Sequence, residues 1–227
     1  MKIHNQHNPS FGMKYPIIKT KNVSSDFVSK VEQGLKSLPD EWEHSLKRNN
    51  YKLYCSNSIQ DTFEHLSIPE QAPDWDAATS AHPWFPFFVF TTKIGKEDLQ
   101  RVINHEISHG IVNSEKLVNN WNYLGAIYKD AEKFAVENPD YTNPHNIRNL
   151  LLLPIDDYRI NEVFADIIAW AQKGGGLWGS GYKNGEINPN FFKENYPNTF
   201  EKLNKFKISI KEEPEYYNNF DDFDAPF

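Results

Sequence analysis

The 227-residue chain has a single cysteine, Cys55, which excludes an internal disulfide and any metal site built from several thiolates. Basic residues are in the minority. The 24 Lys and Arg face 31 Asp and Glu, a formal charge of −7, so the basic face that nucleic-acid binding demands is missing. The acidic balance favours basic partners or substrates and helps solubility. No apolar run approaches the length of a membrane span. The opening stretch MKIHNQHNPSFGMKYP lacks the apolar region of an ordinary secretory signal, so a soluble chain is expected. A phosphate-binding loop is also missing. GGGLWGSG (174–181) has no GK[ST] ending and no strand before it, and reads as a connector. There is no internal repeat.

What is present is enough apolar and aromatic material, 39% and 15% of residues, to build one packed domain at this length. Residues 1–22 are polar and without period, a loosely ordered lead. Residues 23–210 read as a single domain. The tail 211–227, with six acids against one lysine, is expected to be disordered. Phe27, Val31, Leu35 and Leu38 recur at helical spacing, with Ser24, Ser25 or Asp26 as N-cap. Pro39 ends that helix and starts another, PDEWEHSLKR. YKLYC (51–55) and FFVFTTKI (87–94) read as strands, and the Pro-rich stretch 67–86 between them as a long loop. Further helices are expected over KEDLQRVINHEISHGIVN, with Glu97 and Asp98 in its first turn, over 115–137, over 156–172 and over YPNTFEKLNKFKI. The fold class is α+β, mostly helical with a small sheet.

The stretch that carries chemistry is HEISH, residues 105–109. On a helix, His105 and His109 lie four apart and present two imidazoles to one ion. Glu106 lies about 100° round the helix, beside the ion rather than on it, where its carboxylate can take a proton from a water that the ion activates. A shuffled chain of this composition would contain HExxH about 0.02 times, so chance is a weak rival. Two imidazoles leave a catalytic zinc one protein ligand short. Glu115 stands six residues after His109, but Val112 occupies the position where a glycine would turn the chain back. His4, His7, His44, His65, His82 and His145 have no ligand partner at a meaningful spacing. NEVFAD (161–166) offers Glu162 and Asp166 on one face of a helix that is otherwise apolar. Glu162 is therefore assigned to the metal, and Asp166 to the free N–H of His105.

HEISH followed on a later helix by NEVFAD resembles the gluzincin zinc metallopeptidases, in which two His and a Glu bind zinc and the Glu of HExxH is the general base. The 53-residue gap from His109 to Glu162 is more similar to the catalytic domain of anthrax lethal factor and to the Pro-Pro endopeptidases than to thermolysin. DWDAATSAHPW, FFVFTTKI and YPNTFEKLNKF extend the resemblance over about residues 27–207. It implies a zincin-like fold whose edge strand precedes the zinc helix, a Zn2+ cofactor held by His105, His109 and Glu162, and a protein or peptide substrate. It also implies a tyrosine that stabilises the oxyanion, seven residues before the third ligand. That position is Ile155, so the role falls to Tyr158, four before Glu162, to Tyr182, or to no residue.

The expected activity is zinc-dependent endoproteolysis by a monomer, with strand 87–94 adding the substrate backbone as a further strand. A zinc-containing binding module that captures a peptide strand without cleaving it is the alternative, and peptide cleavage separates the two. A cytoplasmic peptidase, or a toxin or effector exported without an ordinary leader, fits this reading equally.

Overall fold

A computed structural model describes residues 16–81, 85–137, 157–173, 181–183, 186–188 and 190–208. His4, His7, His82, His145, Ile155, most of the glycine-rich connector and the acidic tail lie outside the described residues.

Four strands make the main sheet: β1 (Ile17–Lys19), β2 (Lys52–Ser56), β3 (Ala77–Ser80) and β4 (Phe87–Thr91), in the order β1-β2-β4-β3. The first three in that order run parallel and β3 is antiparallel to β4. Parallel neighbours need a crossover. Here α1 (Ser25–Leu35) and α2 (Asp40–Arg48) supply it between β1 and β2. The Ser24 hydroxyl caps α1 by accepting from the Phe27 amide, and Pro39 stands immediately before α2. After β2 comes α3 (Ile59–His65), capped by Ser58.

All five residues of β4 are buried, because the strand has core on both faces and so reads as a continuous apolar run. Phe88 and Phe90 face the main core, while Phe87 and Val89 join Tyr54 and Ile59 in a second cluster beneath α3. On the main-core face lies α4 (Leu99–Ser114), followed by a 3-10 turn (Leu117–Asn119), α5 (Trp121–Glu137) and α6 (Asp157–Lys173). A hairpin, β5 (Gly181–Lys183) with β6 (Glu186–Asn188), leads to α7 (Phe191–Asn195) and α8 (Pro197–Asn204).

Two glycines set how near the elements come to α4. A Cβ on Gly34 would sit 2.5 Å from Ile103 Cδ1, and one on Gly110 would sit 2.4 Å from Phe88 Cζ, distances no real Cβ adopts. Gly110 thus lets the histidine-bearing helix lie flat on the sheet.

The α+β class, mostly helical with a small mixed sheet, is as the sequence implies. Several local expectations are corrected. The polar lead ends in β1, and the stretch read as a loop over 67–86 contains β3. Short strands with Pro-rich flanks are specified by their partners, here β2 and β4, more than by their own pattern. Asp98 sits at the N-cap position of α4 and Glu97 before it, so neither lies in the first turn. The helix expected from 115 begins at Trp121, because Lys116 takes a left-handed conformation at φ 53° and breaks the chain into a 3-10 turn. Strand 87–91 is interior, flanked by β2 and β3, so it has no free edge for a substrate. The edge ahead of α4 is β3. Among the described residues, no helix is long and apolar enough to cross a membrane.

Candidate metal centre

α4 is buried along nearly its whole length, from Leu99 to Val112, with Arg101 and Gln100 the exceptions. Two of its buried residues are His105 and His109, one turn apart. Their rings stand at 87° to each other, and their Nε2 atoms are 3.0 Å apart. The third group comes from α6. Val163, Phe164, Ala165, Ile167 and Ile168 are all buried, which fixes this helix in the core and turns Glu162 towards the two rings. Glu162 Oε2 is 3.4 Å from each Nε2. Ligand atoms of His105, His109 and Glu162 lie within 4.8 Å of one another, a group that could hold a metal ion.

Each imidazole is held from behind by an oxygen on α6. His105 Nδ1 donates to Oδ1 of the fully buried Asp166 at 2.9 Å. His109 Nδ1 donates to Asn161 Oδ1 at 2.6 Å, and Asn161 Nδ2 in turn donates to Asn113 Oδ1 at 2.6 Å. Asn113 reaches the hydroxyl of Tyr51, the residue immediately before β2. An acceptor at Nδ1 engages the proton on that nitrogen, so Nε2 is the ring nitrogen each histidine turns towards the cluster.

The carboxylates beside His105 favour positive charge on its ring. Burial drives the His105 imidazolium down, but hydrogen bonds to Asp166 and Glu162 outweigh it and hold its pKa up to about 10. Burial pushes Glu162 up, yet the two histidines more than offset it and keep the carboxyl well below the usual carboxylate range.

Glu106 is 7% exposed and is not one of the three clustered groups. Its Oε2 accepts from the Thr79 hydroxyl at 2.7 Å, across the gap between α4 and β3. Both residues line a cleft of about 640 Å³. One side of the cleft is the stretch Asp74–Thr79, and its floor is His105, His109, Asn161 and Glu162. The size falls in the usual range for ligand sites.

The structure thus brings together His105, His109, Glu162, Glu106 and Asp166. Glu115 is elsewhere, paired with Arg48 at 2.9 Å. His44 is exposed on α2, and His65 is exposed with its ring edge-on to Tyr54. Tyr158 lies in the first turn of α6 and Tyr182 in β5, but their side chains lie outside the described residues. Three contributors had no role assigned from sequence: Asn161, Asn113 and Thr79. Asn113 stands four residues beyond His109 and Asn161 next to Glu162, so helical spacing carried a signal for both. Nothing in the pattern around Thr79 did.

Among solved structures, the chain is similar to the Pro-Pro endopeptidase from Paenibacillus alvei, with a TM-score of 0.50 and 12% sequence identity. The match covers 82% of this chain and 95% of that one. At this identity the likeness is one of fold. No protein-family profile matches the chain, and no curated protein matches it.

Proposed function

We propose that the chain is a zinc-dependent endopeptidase of the gluzincin kind, with His105, His109 and Glu162 as metal ligands and Glu106 as general base. The observation that carries this reading is the triangle of donor atoms, with edges of 3.0, 3.4 and 3.4 Å, beside a carboxylate that is not part of it. A tetrahedral ion with bonds of about 2.0–2.1 Å separates its ligands by about 3.3 Å, so these donors fit zinc. Two imidazoles and one carboxylate are also the donor set of a catalytic rather than a closed structural site. The fold shared with a protein described as a Pro-Pro endopeptidase agrees with the reading.

When bound, zinc supplies a Lewis acid that lowers the pKa of water towards ~7 and polarises a scissile carbonyl. The protein groups do the rest. Asp166 and Asn161 orient the two imidazoles through Nδ1. The Glu106 carboxylate takes a proton from the attacking water and passes it to the leaving amine. Tyr158, in the first turn of the helix that carries Glu162, is assigned to the oxyanion, a role worth about 2.7–4 kcal/mol. A peptide substrate adds its backbone to the edge of β3, which pairs with no other described strand on that side and borders the cleft, in place of the interior strand β4.

Glu106→Gln is the test. The variant is expected to retain zinc and to lose peptide cleavage by at least about 10²–10³-fold. Undiminished cleavage by that variant removes the base assignment. A zinc-loaded wild type that cleaves nothing in a peptide library removes the peptidase reading.

A further inference from the structure

We infer that Thr79 is a positioning residue for the general base: it holds Glu106 Oε2 so that Oε1 is the oxygen that takes the proton. This deepens the peptidase reading and rests on it. The Thr79 hydroxyl lies 2.7 Å from Glu106 Oε2 and 2.9 Å from the Glu106 main-chain oxygen. One hydroxyl hydrogen sits between these two acceptors and favours the charged one, since bonds to a carboxylate are the shorter and stronger kind. The carboxylate is thereby tied back to the turn of α4 that carries it. No other described residue hydrogen-bonds the Glu106 side chain. A glutamate has three rotatable bonds, and without such a tie its carboxylate would be spread over several rotamers, few of which reach the reacting proton.

The strand register explains why the hydroxyl arrives there. Thr79 pairs with Phe88, so its side chain shares the face of β3 and β4 that packs on α4. Its neighbours Ala78 and Ser80, paired with Val89 and Phe87, belong to the opposite face. A slip of one residue would present Ala78 or Ser80 to Glu106, neither of which has the stiff, β-branched χ1 that holds a threonine hydroxyl in place. β3 is also the edge strand along the cleft, so the base is anchored to the element on which a substrate backbone would lie.

The test uses the full-length, zinc-loaded protein and a peptide that the wild type cleaves. Thr79→Val keeps the shape and removes the donor. Thr79→Ser keeps the donor. The valine variant is expected to lose about 10–100-fold in kcat, with KM within about twofold and zinc content unchanged. The serine variant is expected to return to within about fivefold of wild type. Crystal structures of the two should show the Glu106 carboxylate displaced in the valine variant and in place in the serine variant. The inference fails if valine leaves kcat intact, if the loss appears in KM alone, or if serine is no better than valine. Wild type that cleaves and a valine variant that matches it would remove only the role of Thr79. A wild type with no cleavage at all removes the peptidase reading and this role with it.

Discussion

Helices α4 and α6 meet along buried apolar faces with the histidines, Glu162 and Asp166 set among them, whereas β3 meets α4 through a threonine hydroxyl and small, half-buried side chains. The two regions border one cleft. On the helix side, core packing holds the candidate metal ligands: Ile103, Ile107, Val163 and Ile167 are fully buried, so the donor atoms are fixed in place by the fold itself. On the strand side, four residues and one side-chain hydrogen bond support Glu106. A metal grip gains from rigidity, while a strand that receives a peptide must keep its edge open. Under the proposed function, the difference in packing suits those two tasks.

The helix side contains a second contrast, between a carboxylate behind His105 and a carboxamide behind His109. A charged acceptor strengthens the hydrogen bond and raises the basicity of the ring more than a neutral one does. Asp166→Asn is therefore expected to weaken zinc binding by about 100-fold, and Asn161→Ala by about 10-fold, both within the usual span for partners of metal ligands. Competition against a chelator measures both, with circular dichroism to show that each variant is folded. Equal losses would mean that the two rings are held alike and that the contrast has no energetic content.

Gly110 separates the two regions in another way. Alanine there drives a methyl into the Phe88 ring and the end of Leu46, at 2.4 and 2.8 Å, and so lifts α4 from the sheet. Overpacking of this kind costs about 1–3 kcal/mol, less up to about 1 kcal/mol from the better helix propensity of alanine. Gly110→Ala should lower Tm by a few degrees. Because all three donor groups come from α4 and α6, which pack on each other through buried side chains, zinc affinity is expected to hold to within about threefold. A collapse of zinc affinity at unchanged Tm would show that the ligand geometry depends on the sheet.

The same division explains what could be read in advance. His105, Glu106, His109, Glu162 and Asp166 announced themselves because helical spacing repeats every three to four residues and carries polar groups through an apolar background. Asn161 was visible in NEVFAD, but its partner was not, since only the fold shows that His109 Nδ1 faces it. β3 was illegible. AATS has no alternation of apolar and polar residues, all four positions are half-buried, and its strand conformation comes from pairing with β4. β4 was legible as a strand and misread as an edge, because a continuous apolar run marks two covered faces, and strand order lies outside what a local pattern encodes. The 3-10 break at Leu117–Asn119 is a further case, set by the left-handed Lys116 and not by any proline or glycine.

The smallest expected effect isolates the sheet. Cys55 in β2 is fully buried, and burial, aided by nearby Glu32, pushes its thiol up to about 12. Burial likewise pushes Tyr51 up to about 12, against a smaller opposing effect of its hydrogen bond from Asn113. The Tyr51 ring stacks on Phe88 at 4.7 Å. Both groups keep their protons in the fold at pH values where the unfolded chain releases them, near 9 for the thiol and 10 for the phenol. The unfolded state then binds fewer protons, so stability falls as pH rises. The contribution is complete below pH 9 and is lost progressively towards pH 12. At pH 10 the thiol alone should remove on the order of 1 kcal/mol. Denaturant unfolding at pH 8 and pH 10 measures the slope, and Cys55→Ala should flatten it by about that amount despite its own packing cost at both values. The thiol should also resist alkylation at pH 8 until the protein unfolds. Equal slopes in wild type and variant would mean that β2 is less dry than its position between β1 and β4 requires.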